Sequence, residues 1–248
     1  MIMKAIVIIP SRFGSSRFPG KPLADIKGKP MVQHVYENAS KAVSEVWVAT
    51  DDERIEIAIK KFNGKCVMTS SDCQSGTDRL AQAITKIPDA SSFDVVVNVQ
   101  GDEPFIQPEQ IQLLLSIFEK NPQTQIATLV KKITSIEDLL NPNKPKVAIA
   151  GDGHAVYFSR SPIPYLRGKD VKDWCSERDY FKHIGIYAYR REVLVEIAKL
   201  PQSQLEKTES LEQLRWLDNN YKIFTAVTDF ENLCVDTPED LEKILKTI

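Results

Sequence analysis

A chain of 248 residues, 42% of them hydrophobic, is long enough to bury one substantial core. With 32 basic against 34 acidic side chains, the net charge of −2 argues against a general nucleic-acid binder, whose phosphate contacts leave a domain visibly basic, while still allowing a local anion site. Four cysteines (Cys66, Cys73, Cys175 and Cys234) are scattered with no C-x-x-C pair and no metal-ligand spacing, and read as reduced thiols. The start, Met1-Ile-Met-Lys4, runs into a strand pattern without a charged n-region or long apolar segment, so a cytoplasmic protein is expected.

Ala5-Ile-Val-Ile-Ile9 is a continuous apolar run stopped by Pro10, as in a parallel strand buried on both faces. A helix is predicted over Met31–Val43, then a strand (Val46–Ala49), a helix (Asp52–Phe62), a strand (Cys66–Met68) and a helix (Asp78–Ile87) with Thr77 as its cap. A second apolar strand, Asp94–Val99, precedes a helix opened by Pro108, where proline suits the first turn. This alternation predicts an α/β fold with a mostly parallel sheet, whose ligands collect beyond the carboxyl ends of the strands. Further on, 146–150, 154–159 and 181–189 are strand-like, and the polar, proline-punctuated stretch 160–178 between them suggests an excursion. Helices are expected near 191–199, over 203–219 and from Pro238, with a strand at 223–227; Ser203 with Glu206 and Thr237 with Asp240 read as capping boxes. With no repeat and no linker in sight, one domain is expected, with about 150–190 as its central excursion.

The loop after the first strand, Ser11-Arg-Phe-Gly-Ser-Ser-Arg-Phe-Pro-Gly-Lys21, holds Arg12, Arg17 and Lys21 with no carboxylate among them. Its glycines and serines let backbone N–H groups approach an anion. It is not a P-loop, because the glycine spacing is one residue too long and Pro22 stands where Ser or Thr would touch Mg²⁺. A triphosphate nonetheless suits such a loop. Asp102, after the second buried strand in Gln100-Gly-Asp-Glu-Pro104, is placed for Mg²⁺, and Pro104 holds Glu103 extended so that the two acids diverge. Asp236 precedes a strong helix start and reads equally as a turn residue or a second metal ligand. Ser75-Gly-Thr-Asp-Arg79 enters a helix, and Arg79 with the free N–H groups is a candidate for a phosphate or a base edge. His183, Gly185, Tyr187 and Tyr189 share one strand face opposite Ile184, Ile186 and Ala188; His183 to Tyr187 spans about 13 Å in a regular strand, room for an eight-carbon sugar. In the 203–219 helix, Glu209, Glu212, Gln213 and Trp216 form one stripe, for which solvated charge is the default.

Together the segments IIPSRFGSSRFPGKPL, VATDDERI, QSGTDRLA, NVQGDEP, YFSRSPIP, HIGIYAYR, LEKTESLEQLR and VDTPEDLEK resemble the 3-deoxy-D-manno-octulosonate (Kdo) cytidylyltransferases, from Ile6 to about Lys246. The R-x-x-x-S-R-x-P-G-K part is shared with other sugar nucleotidyltransferases; the ordered combination is specific. The resemblance implies a Rossmann-like nucleotide-diphospho-sugar transferase fold, with a mixed, mostly parallel sheet covered by helices on both faces, and a homodimer formed through the central excursion. It implies CMP transfer from CTP to Kdo for lipopolysaccharide synthesis, with Mg²⁺ on Asp102 and Asp236. Arg12, Ser15 and Lys21 are then expected on the nucleotide's phosphates, and Ser75, Gly76, Thr77 and Arg79 around its base. Gln100 would serve both substrates, and Arg160, His183, Tyr187, Glu212 and Gln213 the sugar acid. The catalytic set implied is Arg12, Lys21, Asp102 and Asp236. An enzyme for an 8-amino analogue would change few of these contacts, whereas one for another acceptor, such as a sialic acid or a sugar phosphate, would keep the first loop and rebuild the 160–213 segments. Ser11, where many relatives have alanine, and Lys144-Pro145 depart from the family pattern without touching an expected ligand group.

Overall fold

The computed structural model describes residues 3–15, 17–231 and 234–246. The amino-terminal half alternates β1 (Ala5–Ser11), the hairpin β2 (Asp25–Ile26) and β3 (Lys29–Pro30), α1 (Met31–Ala39), β4 (Val46–Thr50), α2 (Glu53–Lys61), β5 (Lys65–Met68), α3 (Gly76–Lys86), β6 (Val95–Asn98) and α4 (Pro108–Lys120). There follow β7 (Ile126–Ile133), α5 (Ile136–Leu140), β8 (Lys146–Ile149), β9 (Ala155–Ser159), α6 (Trp174–Glu177) and β10 (Tyr180–Arg190). The chain continues through α7 (Arg191–Ile197), α8 (Gln204–Glu209), α9 (Gln213–Asp218), β11 (Ile223–Val227) and α10 (Pro238–Leu245).

One nine-stranded sheet runs β11-β7-β10-β6-β1-β4-β5, with β8 paired to β10 and β9 to β8. β1 is parallel to both β4 and β6, β4 to β5, and β7 to β11. β10 is antiparallel to β6, β7 and β8, so the sheet is mixed. Residues Ile6 to Ile9 are fully buried because helices cover both faces. Leu80, Val96, Tyr189 and Trp216 belong to one layer of core, Val7, Val97, Ile111 and Ile186 to the other.

β10 corrects the expected excursion. It is a central strand between β6 and β7, so of residues 150–190 only the part before Tyr180 leaves the sheet's main path. Its pairing with β7 also jumps, with Ile184 opposite Leu129 but Tyr187 opposite Thr128. Two extra residues are accommodated there, and the Thr128 hydroxyl donates within the bulge, 2.8 Å from the Ile186 carbonyl oxygen.

Helix entries follow local chemistry. Asp52 caps α2 through the Arg54 N–H at 2.9 Å, and Thr237 and Asp240 form the expected box on α10. On α3 the cap is Ser75, not Thr77: its Oγ accepts the Asp78 N–H, and Asp78 accepts the Ser75 N–H, each at 3.1 Å. The predicted 203–219 helix is two. Ser210 takes φ +51°, ending α8, and Leu211 N–H donates back to the Glu206 carbonyl oxygen. Ser203 accepts the Glu206 N–H, but the Glu206 carboxylate turns away to Arg215, receiving Nε at 2.8 Å and Nη2 at 2.7 Å. That buried, two-pronged pair binds the short helices together.

Candidate active site

Beyond the carboxyl ends of β1 and β6 lies a cavity of about 330 Å³. Arg12, Ser15 and Lys21 line it from the first loop, Ser75, Gly76 and Arg79 from the start of α3, Gln100 and Asp102 from the turn after β6, and Asp236 from the entry to α10. Gly101 allows this convergence. A Cβ there would fall 2.8 Å from both the Pro10 carbonyl oxygen and Ser11 Oγ, so only glycine lets the β6 turn close on β1.

The first loop is folded back on itself. Gly20 N–H donates to the Phe13 carbonyl oxygen at 2.9 Å, and the Arg54 guanidinium covers the Phe13 ring 3.3 Å from its centroid. Gly20, at φ +73°, leads into a tight turn at Lys21–Leu23 whose Pro22 is buried. Lys21 thereby points inward, and Nζ donates to Asp102 Oδ2 at 2.7 Å and to Asp236 Oδ1 at 3.5 Å. Arg17 reaches the same Asp236 oxygen at 3.2 Å from an exposed position. Burial opposes the Lys21 charge, but Asp102 and Asp236 outweigh it and hold the ammonium above the ordinary lysine value. Glu103, next to Asp102, is buried.

Asp236 is brought here by a backbone bond. Val235 N–H donates to the Asp102 carbonyl oxygen at 2.9 Å, and the Val235 side chain is fully buried beside Ile26 and Met31. Its neighbours Cys234 and Asp236 therefore face the other way. One ligand atom each of Asp102, Cys234 and Asp236 lies within 4.8 Å of the others. Sequence reasoning missed Cys234; the available signal was its alternation with Asp236 on an extended segment.

Two nucleotide-site expectations change. Arg79, only 3% exposed, holds Asp51 at 2.8 Å and Thr69 Oγ1 at 2.6 Å. It braces the loops after β4 and β5, and so positions α3 rather than offering its fork to a phosphate. Thr77 is buried, and its hydroxyl donates to Glu212 Oε2 at 2.9 Å. Gly76 opens the 11-residue α3 toward the cavity, where first-turn N–H groups suit an anion or a polar base edge.

Of the expected sugar residues only Gln100 lines the cavity, its amide donating to the Gly185 carbonyl oxygen at 3.3 Å. Arg160 Nε donates to the Glu209 carbonyl oxygen at 2.6 Å, Nη1 to that of Pro142 at 2.9 Å and Nη2 to that of Ser210 at 3.2 Å. It satisfies two carbonyls at the end of α8, those of Glu209 and Ser210, as a basic side chain does at a helix C-terminus, and a third that follows α5. His183 accompanies Thr128 Oγ1 at 3.0 Å and stands edge-on to Phe158; burial pushes its imidazole down to about 3, so it is neutral. The bulge shortens the expected His183–Tyr187 span, leaving the ring centroids 5.2 Å apart and packed on each other. The stripe predicted on one helix also dissolves. Glu209 accepts Ser159 Oγ at 2.6 Å, Gln213 is buried, and Trp216, 1% exposed, meets Tyr187 edge-on at 5.1 Å. Tyr187 Oη and Glu212 Oε1 are buried without a hydrogen-bond partner, and burial raises the pKa of both groups.

Residues 6–223 match a family model described as Cytidylyltransferase. The chain is 56% identical over 248 residues to a 3-deoxy-manno-octulosonate cytidylyltransferase of Parabacteroides distasonis, covering 98% of each chain. It is 56% identical to the protein of that description from Bacteroides thetaiotaomicron, covering 97% of this chain and 96% of the relative. Among solved structures, CMP:2-keto-3-deoxy-manno-octonic acid synthetase complexed with CTP superposes with a TM-score of 0.90 at 46% identity, covering 98% of both chains. A putative glucose-1-phosphate thymidylyltransferase from Bacillus anthracis, at 15% identity and TM-score 0.64 over 98% of this chain and 94% of that one, shares the fold alone.

Proposed function

The chain belongs to the 3-deoxy-manno-octulosonate cytidylyltransferases, and from that premise we propose that it transfers CMP from CTP to Kdo, releasing pyrophosphate, through the cavity built on Lys21, Asp102 and Asp236. The observation that carries this reading is the meeting of Lys21 with two carboxylates at the carboxyl ends of β1 and β6, beside the α3 N-terminus.

The sugar's anomeric oxygen attacks the α-phosphorus in line; the new O–P bond forms as the bond to the β-phosphate oxygen breaks, pyrophosphate leaves, and the sugar hydroxyl's proton passes to solvent. Catalysis of such a step rests on positioning and charge neutralisation. Arg12 and Lys21 supply positive charge for the triphosphate, and Gly76 with Ser75 receives the nucleoside. Asp102 and Asp236 fit Mg²⁺, which takes one or two carboxylates and completes its shell with water and phosphate oxygens. When bound, the ion supplies charge to the phosphate oxygens; the lysine ammonium now lying between the two acids supports a cation's place there. Tyr187 Oη and Glu212 Oε1, buried without a hydrogen bond, and the link of Glu212 to α3 through Thr77 support a polyhydroxylated acceptor next to the nucleotide.

The reading includes a homodimer through the β8–β9 side, where Val156 is 56% and Tyr165 75% exposed. It also includes work in the cytoplasm, where reduced thiols are the rule. Among the described residues no helix is long and apolar enough to cross a membrane. Pyrophosphate release measured with CTP or UTP, and with Kdo, its 8-amino analogue or a sialic acid, tests the assignment. Release is expected only with CTP and Kdo together; faster turnover of another acceptor, or of UTP, overturns it.

A further inference from the structure

Cys234 is the one member of the carboxylate cluster that neither phosphate handling nor sugar recognition uses. Its place is fixed from both sides. Val235 is anchored in the core and by its N–H to the Asp102 carbonyl oxygen, so Cys234 and Asp236 project to the face where Asp102 lies. Cys234 is exposed, and its sulfur is within 4.8 Å of an oxygen of each acid. Lys21 already rests a positive charge on both acids.

Mg²⁺ has no use for a thiol; it takes oxygen ligands. Two carboxylates and a sulfur are instead the donor set of a borderline or soft cation, and for such sites zinc outranks manganese in affinity. A tetrahedral zinc holds its sulfur and oxygen ligands about 3.6 Å apart, so side-chain rotation of about an ångström closes the cluster around an ion. We propose that Cys234 turns the Asp102–Asp236 cation site into a mixed thiolate–carboxylate site that takes Zn²⁺ or Cd²⁺ in preference to Mg²⁺, so that thiophilic cations occupy the catalytic position. On binding, the thiol releases its proton to solvent and the Lys21 ammonium leaves the carboxylates. The proposal rests on the reading of Asp102 and Asp236 as the cation ligands.

The test uses the full chain without nucleotide. Cd²⁺ is titrated while sulfur-to-cadmium charge-transfer absorption is followed in the ultraviolet, and Mn²⁺, as an oxygen-seeking probe, is followed by loss of the free-ion paramagnetic resonance signal. The wild type should give one saturable cadmium band. Cys234→Ser should abolish it and weaken Cd²⁺ binding at least tenfold, while Mn²⁺ affinity stays within twofold. Asp102→Asn and Asp236→Asn should weaken both ions. A band of unchanged size and affinity in Cys234→Ser overturns the proposal by assigning the ion to Cys66, Cys73 or Cys175. Mn²⁺ binding unchanged in both Asn variants overturns the underlying carboxylate reading instead. Cys234 is exposed, so the serine variant should fold, which near-ultraviolet circular dichroism checks.

Discussion

Replacing Lys21 by methionine keeps the side chain's bulk and removes its charge, leaving two carboxylates facing each other with oxygens within 4.8 Å. Like charges at that separation repel by about 3 kcal/mol at an effective dielectric of about 20. The side chains of Asp102 and Asp236 are 26% and 40% exposed, and solvent screening brings the expected cost to about 1–2 kcal/mol. For a chain of this size that is a fall of roughly 2–8 °C in melting temperature. Mg²⁺ should then stabilise the variant more than the wild type, because it no longer has to displace an ammonium. Activity should not follow stability: kcat/KM for CTP is expected to stay down about a hundredfold or more at any Mg²⁺ concentration, as for loss of a group that stabilises transition-state charge. Thermal melts with and without Mg²⁺, beside pyrophosphate release, separate the two effects. A variant that melts with the wild type and gains no more from Mg²⁺ would refute the electrostatic account of the cluster.

Arg160→Ala should lower unfolding free energy by about 1–3 kcal/mol through the lost carbonyl contacts, and Arg160→Lys should restore little of it, because an ammonium lacks the fork. Denaturant titration, with CTP affinity by calorimetry, checks it; a normally stable Arg160→Ala protein impaired only toward Kdo would return this residue to the sugar. His183 sets a pH dependence. Its folded pKa is depressed to about 3, so below the unfolded value of about 6.5 the unfolded chain binds the extra proton and stability falls as pH falls. Between pH 6.5 and 5 that loss is about 2 kcal/mol and should vanish in His183→Asn; equal slopes for both proteins in denaturant titrations would contradict it.

Apolar runs with sharp ends made the parallel strands legible, and so did side chains that cap their own helices. β1, β4 and β6, Thr237 with Asp240, and the loop of Arg12 to Lys21 opposite Asp102 all rest on local pattern. β7 escaped because Thr128 and the lysines 131–132 interrupt its apolar run, although Thr128 is fully buried. The break between α8 and α9 escaped because helix periodicity runs through Ser210, and only the backbone's left-handed turn there divides the stripe. His183, Tyr187 and Arg160 carry the right chemistry for a sugar acid. Their partners (Thr128, Trp216 and the end of α8) come from distant segments that one sequence does not place.

Inserting one residue into a strand turns every side chain beyond it to the wrong face, but inserting two does not. β10 carries two, and its even-numbered residues Ile184, Ile186 and Ala188 stay in one layer while Tyr187 and Tyr189 stay in the other. The strand can therefore change character midway at no cost in parity. Downstream, Tyr187–Arg190 must keep register with β6, whose end carries Asp102; upstream, Tyr180–Ile184 need match only the far part of β7 and β8. A shift or substitution confined to the residues before the bulge can therefore leave the pairing of Tyr187–Arg190 with β6 as it is.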